Sequence, residues 1–259
     1  MHYFPHPQGG NHVLELKVWS DYACFTRPEN KAERVSYDVM TPSAARGVLE
    51  AIFWKPEFSW QVREIVVLNE VKRQSILRNE VNSRASERAA KTWATSGGGF
   101  YAEEDRAQRH ALILRDVAYI IRAEIVLKPH TADPLVKYTE MFTRRAEKGQ
   151  AFHQPYLGNR EFSAFFSLPD GNEQPANVVR QLGGEYAERE DKLSLGRMLF
   201  DMEFIGAKKG RLKYRQHDAE GVRWVEGNAT PRFFDAELVE GGILRVPAHL
   251  YAPRGKVRR

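Results

Sequence analysis

The sequence predicts an α+β protein in which a ferredoxin-like β-α-β-β-α-β domain is followed by a small antiparallel β domain. Three observations support this prediction. Strand-like alternating runs and two amphipathic helices follow one another in the split βαβ order. A polar stretch rich in glycine and proline then interrupts the pattern, and short strand-like runs separated by turn residues complete the chain. The predicted boundaries are 1–168 for the ferredoxin-like domain, 169–194 for a linker and 195–259 for the β-rich domain.

The first strand and the first helix open the predicted ferredoxin-like domain. Residues 12–19 alternate between apolar and polar side chains, as a half-buried strand does. Thr41 has the features of a helix N-cap, and Pro42 suits the first helical position. The helix is predicted over 42–54, because the residue before Pro56 avoids the α region. Its apolar stripe at helical spacing comprises Val48, Leu49, Ile52 and Phe53.

The second half of this domain is predicted to repeat the pattern. Residues 61–69 and the long alternating run 111–126 are the second and third strands, and residues 161–167 are the fourth. The helix between the last two strands is predicted to be capped by Asp133 and to end at Gly149. The RNA recognition motif shares this topology, although its aromatic signature on the third strand is absent. The apolar stripe of this helix comprises Leu135, Tyr138, Phe142 and Ala146.

Composition narrows the class of protein. Of 259 residues, 42% are hydrophobic and 28% charged, which is typical of a soluble globular protein, and no apolar run is long enough to span a bilayer. We therefore expect no membrane partner. The first residues lack the apolar core of a signal peptide. The lone Cys24 excludes an intrachain disulfide and a zinc site of several thiolates. A cytosolic protein is expected.

The positive charge is unevenly distributed. The net charge is +5, and residues 72–115 contain nine lysines and arginines against five acidic residues. This excess favours a polyanionic partner, although a solvated basic surface is the alternative. Residues 72–110 are predicted to be a basic insertion between the second and third strands, mobile or partly helical. No phosphate-loop, zinc-protease or nucleophile-elbow motif occurs, so no cofactor and no metal are expected.

Two blocks of sequence resemble a known family. Residues 34–56 (RVSYDVMTPSAARGVLEAIFWKP) and 152–162 (FHQPYLGNREF) are similar to the Cas-five-d family, the CRISPR-associated proteins of subtype I-C that process precursor CRISPR RNA. The resemblance covers nearly the whole chain. It implies an endoribonuclease that recognises the repeat hairpin, cuts at its 3′ base and stays on the 5′ handle. Implied protein partners are the backbone and large subunits of the interference complex.

Two further implications of the resemblance stay open. The alternative function is a structural subunit that binds the handle without cutting. Duplex DNA is a further candidate partner, and the implied location is the cytoplasm of a prokaryote.

RNA can be cut without a metal. A ribose 2′-hydroxyl can attack its own adjacent phosphorus if the protein accepts the hydroxyl proton, neutralises the phosphorane and protonates the leaving 5′ oxygen. The family site combines a tyrosine after the first helix with a Lys-His pair at the start of the second. The resemblance puts these at Phe53, Lys137 and Tyr138, so this chain keeps only the lysine. Tyr138 is a proton carrier in one interpretation and a core residue in the other.

Three other residues are candidate proton carriers. His110 and His153 can exchange a proton near neutral pH, and each has a structural role as its alternative. Tyr37 offers a further hydroxyl, with a strand-end aromatic as its alternative. Arginine binds phosphate in a bidentate manner, and ordinary surface charge is the alternative for each candidate contact. The predicted RNA-binding residues are Arg27, Lys31, Arg34, Arg46, Arg84, Arg88, Lys91, Arg109, Arg144, Arg145 and Arg160.

Overall fold

A computed structural model of the chain describes residues 13–30, 32–187, 192–239 and 241–252. The strands in these ranges are β1 (Leu14–Ala23), β2 (Arg34–Val35), β3 (Phe58–Val67), β4 (Lys72–Val81), β5 (Arg106–Leu127), β6 (Phe165–Ser167), β7 (Lys192–Gly206), β8 (Leu212–Asp218), β9 (Gly221–Val239) and β10 (Ile243–Arg245). The helices are α1 (Pro42–Ile52), α2 (Glu87–Ser96), α3 (Leu135–Glu147) and α4 (Val178–Ala187), and a 3₁₀ turn spans Ala248–Tyr251.

The strands form one mostly antiparallel sheet. Its main path runs β6-β1-β5-β3-β10-β9-β7, while β2 and β4 pair with β5 and β8 pairs with β9. Both β1 and β3 are antiparallel to β5, and β6 is antiparallel to β1. The prediction of a mixed α and β protein is confirmed. Among the described residues, no helix is both long and apolar enough to cross a membrane.

Helix α1 forms where the sequence predicts it and for the predicted reason. The Thr41 side chain accepts a hydrogen bond from the Ala44 amide at 3.3 Å, and Pro42 occupies the first turn. The helix ends at Ile52, and Phe53 turns to an extended conformation as its C-cap. Its buried face packs on β3 and β7, so this helix connects the N-terminal and C-terminal parts of the chain.

Helix α3 starts differently from the prediction. Pro134 is its N-cap residue, and no side chain caps it. The carboxylate of Asp133 instead accepts hydrogen bonds from Lys137 Nζ at 2.7 Å and from the Tyr138 hydroxyl at 3.3 Å. Capping is therefore the wrong role for Asp133, because the lysine one turn later is a stronger partner for its charge than a backbone amide. The helix ends before Gly149, whose φ of +62° suits a C-terminal glycine.

Two segments have more regular structure than their composition indicates. In the insertion 72–110, β4 and the start of β5 form a hairpin with α2 at its end, and none of the residues of α2 is buried. In the predicted linker, 169–194, helix α4 places Val178 and Val179 in the core. Beyond it, β10 pairs with β3 and so joins the strands near the C-terminus to the same sheet.

Candidate functional site

The site begins at the C-terminal end of α1, where other segments bind the last carbonyl groups of the helix. The backbone amides of Phe152 and His153 both donate to the Ala51 carbonyl, at 2.9 and 3.0 Å. The Arg145 guanidinium donates to the Ile52 carbonyl at 2.7 Å. Since terminal carbonyls of a helix need such partners, the sequence block 152–162 is held against α1 by backbone contacts.

An aromatic row connects this end of α1 with the start of α3. The Phe53 and Phe58 rings are 5.4 Å apart between centroids, and the Phe58 and Tyr138 rings are 5.3 Å apart. The Arg145 guanidinium lies 5.2 Å from the centre of the Phe53 ring, and Trp60 Nε1 donates to the Phe53 carbonyl at 2.9 Å. Phe53, where the resemblance places the family tyrosine, is fully buried, and its side chain has no polar atom.

Lys137 and Tyr138 lie side by side with one carboxylate. The hydrogen bond from Lys137 lowers the pKa of Asp133, and the same bond raises the pKa of Lys137. Burial raises the pKa of Tyr138, and the charges of Glu57 and Asp133 add to that effect. The Lys137 side chain is 51% exposed, whereas Tyr138 is 2% exposed. At neutral pH the pair thus offers an accessible cation and a neutral phenol, and neither group is ready to accept a proton.

A histidine that no sequence motif indicates also reaches this end of α1. The ring of His217, on β8, packs edge-on against Trp54 with centroids 5.2 Å apart. Its Nδ1 atom is buried and has no hydrogen-bond partner among the described residues. No local signal points to it, because 163 residues separate it from Trp54. Strand β8 pairs with β9, and β9 pairs with β7, the strand that packs on α1.

The remaining predicted proton carriers lie elsewhere. Tyr37 is buried before the first turn of α1, where its hydroxyl accepts from the Leu199 amide at 3.2 Å, and burial raises its pKa. Helix α1 rises about 16 Å over its eleven residues, which separates Tyr37 from the Phe53 end. His110 is exposed on β5, opposite Leu77 of the hairpin.

Several predicted RNA-binding arginines have partners within the protein. Arg46 donates to both carboxylate oxygens of Asp201, at 2.7 and 2.8 Å, and to Glu50 at 2.7 Å. Burial lowers the pKa of Arg46, but these two carboxylates outweigh it and raise the pKa overall. Arg34 pairs with Glu80 at 3.2 Å. These side chains hold elements together, and the ion pair of Arg46 ties α1 to β7.

Other predicted contacts are more accessible. Arg84, Arg88 and Lys91 are exposed around α2, although Lys91 also pairs with Glu87 at 2.8 Å. Arg144 and Arg160 are exposed as well. Arg109 is half-buried and lies 3.5 Å from the Asn82 side chain, Arg27 lies over the Tyr37 ring, and Lys31 lies outside the described residues. Within the described ranges, no three His, Cys, Asp or Glu side chains are grouped closely enough to hold a metal ion.

A cavity of about 290 Å³ lies at the other end of α1. Both sequence blocks contribute to it, the first through Ser43 and Gly47 and the second through Tyr156 and Asn159. Asn159 Nδ2 is buried with no hydrogen-bond partner among the described residues. The two blocks that carry the family resemblance therefore contact each other at both ends of the same helix.

A family model and two relatives that match this chain all point to the same family. A family model described as CRISPR-associated protein (Cas_Cas5) matches residues 13–246. A protein of Thermus thermophilus named CRISPR pre-crRNA endoribonuclease Cas5d is 47% identical over 239 residues, which cover 92% of this chain and 93% of that protein. A protein of the same name from Mannheimia succiniciproducens is 42% identical over 240 residues, which cover 90% of this chain and 94% of that protein.

Solved structures share the fold at low sequence identity. The crystal structure of a CRISPR-associated protein has a TM-score of 0.56 and 19% identity, covering 94% of this chain and 97% of that one. A functionally uncharacterized protein from Streptococcus mutans has a TM-score of 0.55 and 17% identity, covering 93% of this chain and 95% of that one.

Proposed function

The chain belongs to the Cas5d family of CRISPR-associated proteins, which confirms the family suggested by residues 34–56 and 152–162, and from this premise we propose that it is an endoribonuclease acting on precursor CRISPR RNA. The observation that carries the proposal is the 47% identity, over 92% of the chain, to a relative named for that activity. Consistent with it, the block 152–162 contacts α1, which lies within the block 34–56.

We propose the finer features of this function on the same basis. The protein recognises the repeat hairpin, cuts at its 3′ base and stays on the 5′ handle beside the backbone and large subunits of the interference complex, in the cytoplasm of a prokaryote. Duplex DNA is a further candidate partner. The order β6-β1-β5-β3 supports a ferredoxin-like arrangement for 1–168, with 195–259 as the β-rich part.

The proposed reaction uses the RNA as its own nucleophile. The 2′ oxygen bonds to phosphorus, the bond to the 5′ oxygen breaks, and the products carry a 2′,3′-cyclic phosphate and a 5′-hydroxyl. Lys137 is the cation for the phosphorane, since its ammonium group is accessible and its pKa is raised. The candidate proton carriers named from the sequence are Tyr138, His110, His153 and Tyr37.

The alternative is a subunit that binds the handle and cuts nothing. The buried Phe53 ring without a hydroxyl and the buried Tyr138 favour it. Incubation of the pure protein with its repeat RNA separates the two, because a scaffold leaves the RNA intact at any protein concentration.

Cleavage of the repeat RNA should continue in excess chelator, because the 2′-hydroxyl and Lys137 supply the nucleophile and the cation. A repeat with a single 2′-deoxy nucleotide at the cut should resist cleavage and still bind, as measured by gel electrophoresis and by filter binding. Activity that disappears in chelator and returns with a divalent ion would contradict this mechanism.

Affinity for repeat RNA should fall steeply with salt, because released counterions make phosphate binding salt-dependent. If Arg84, Arg88 and Lys91 each bind a phosphate, replacing all three by alanine should flatten the slope of log K against log salt by about 2. Thr92→Ala with Thr95→Ala on the same exposed helix is the uncharged control. An unchanged slope in the triple variant would mean that α2 contacts something other than the RNA.

A further inference from the structure

Two histidines from distant parts of the chain lie at the C-terminal end of α1. His153 is held there by its backbone amide, which donates to the Ala51 carbonyl at 3.0 Å. His217 is held there by its ring contact with Trp54 at 5.2 Å. Ala51 is the second-last residue of α1, and Trp54 follows the extended C-cap residue Phe53. Both contacts are therefore made within four consecutive residues at the end of α1.

One polar atom of the His217 ring lacks a hydrogen bond within the described part of the chain. Its Nδ1 atom is buried without a hydrogen-bond partner among the described residues. A buried polar atom in this condition destabilises the fold, because it has lost its hydrogen bonds to water without replacing them. The carboxylate of the next residue, Asp218, pairs with Arg223 at 3.1 Å. It therefore does not serve as the hydrogen-bond partner of this ring nitrogen.

The surroundings of the two imidazoles fit a nucleic acid. Arg145 brings a guanidinium group to the same helix end, where it contacts the Ile52 carbonyl and the Phe53 ring. Trp54 is 41% exposed and Phe152 is 74% exposed, so two aromatic rings beside the imidazoles can stack with bases. Positive charge, proton carriers and stacking surfaces thus occur together at the end of one helix.

We propose that His217 and His153 are the proton-transfer pair of the cleavage reaction. This inference rests on the proposed function, and it adds His217 as a catalytic residue. One neutral imidazole takes the proton of the 2′-hydroxyl as the oxygen bonds to phosphorus. The other, as imidazolium, gives its proton to the 5′ oxygen as the P–O5′ bond breaks. Imidazole suits both tasks because both of its protonation states are populated near neutral pH.

The two imidazoles supply the proton acceptor that Lys137 and Tyr138 do not provide. Those two groups hold their protons, so they can stabilise charge but not begin the reaction. The phosphodiester would lie across the end of α1, with Arg145 or Lys137 next to its non-bridging oxygens.

The test uses His217→Gln and His153→Gln in the full chain, with His249→Gln as the control for loss of an exposed histidine. Each of the first two variants should cut its repeat RNA about 10²-fold or more slowly, the size of one general acid or base contribution. RNA affinity should change less than threefold, and the control should match the unmodified protein. His217→Asn is made as well, so that the result does not depend on one replacement folding.

A substrate with sulfur in place of the bridging 5′ oxygen adds a readout that a structural role would not affect. The thiolate leaves without being protonated, so this substrate needs the base but not the acid. It should restore the rate of one of the two variants and not of the other. Restoration of neither variant would overturn the pairing.

The results of these experiments distinguish a failure of the proposed proton-transfer pair from a failure of the proposed function. If the unmodified protein binds the repeat but never cuts it, the proposed function fails and the pair with it. If the unmodified protein cuts, and His217→Gln and His217→Asn cut within threefold of its rate, only the catalytic role of His217 is overturned.

Discussion

Replacing Lys137 by alanine should slow cleavage of repeat RNA by about 10²-fold or more, as the loss of one donor to a developing negative charge typically does. The affinity for RNA should change little, because one phosphate contact among many is lost. Folding should be affected little as well, since the ion pair with Asp133 is exposed on both sides. Single-turnover rates and a binding isotherm on the same preparation measure the two effects separately.

Three companion variants make this result specific. Lys137→Arg keeps a cation at the site and should retain most of the rate. Lys148→Ala removes an exposed lysine from the other end of α3 and should behave as the unmodified protein does. Tyr138→Phe removes a hydroxyl that is bound to Asp133 but keeps the ring that packs on Phe58. If Lys137→Ala cuts at full rate, the cation of the reaction lies elsewhere.

Tyr138→Phe also bears on the choice of proton carrier. If the two imidazoles transfer the protons, Tyr138→Phe should cleave RNA within a few-fold of the rate of the unmodified protein. A loss as large as that of Lys137→Ala would return the role to the phenol. Phe53→Tyr is the complementary change, since it adds a hydroxyl at the position where the resemblance places the family tyrosine. Faster cutting by that variant would mean that the missing hydroxyl limits this protein.

Replacing Gly158 by alanine should destabilise the fold far more than the size of one methyl group indicates. Its φ of +85° already disfavours a side chain, and a Cβ there would overlap the Cys24 carbonyl oxygen. Backbone atoms cannot rotate away as a side chain can, and the Cys24 amide is bound to the Leu157 carbonyl at 3.1 Å. The two segments would have to separate, and the block 152–162 would lose its place beside α1.

Gly171→Ala is the matched control. Its φ is +86°, but apart from Gly171 and its chain neighbours no atom of the described residues lies within 4 Å of the added Cβ. The control should lose about 1–2 kcal/mol from the backbone conformation alone, and Gly158→Ala about 1–3 kcal/mol more from overpacking. Urea unfolding of both variants measures the difference. Equal losses would show that Cys24 and Gly158 can move apart at no cost.

The sequence is informative wherever the cause of structure is local. Thr41 and Pro42 specify the start of α1 through contacts within one turn, and Gly149 marks the end of α3 because it adopts a left-handed conformation. The alternating run that becomes β5 shows its buried face directly. Such signals depend on neighbours in the chain, so no knowledge of the fold is needed to interpret them.

Where two interacting residues are distant in the chain, the sequence pattern does not predict their contact. Asp133 has the features of a helix cap in the sequence, but in the structure its carboxylate binds Lys137. Val178 and Val179 lie in a polar stretch of sequence that does not indicate a helix with a buried face. Arg46 has the features of a phosphate ligand in the sequence, yet its guanidinium is bound by Asp201 from a strand 155 residues away. His217 contacts Trp54, which lies 163 residues earlier in the chain.

The pairing of β10 with β3 has a consequence for the synthesis of the protein. Ile243 and Leu244 join Val66 and Ile65, almost 180 residues earlier in the chain. The edge of β3 therefore has no strand beside it while most of the polypeptide emerges from the ribosome, and an open apolar edge invites pairing with other chains. Closing a sheet over so long a separation is also slow. Nascent chains that stall before residue 243 should be the form of this protein most prone to aggregate.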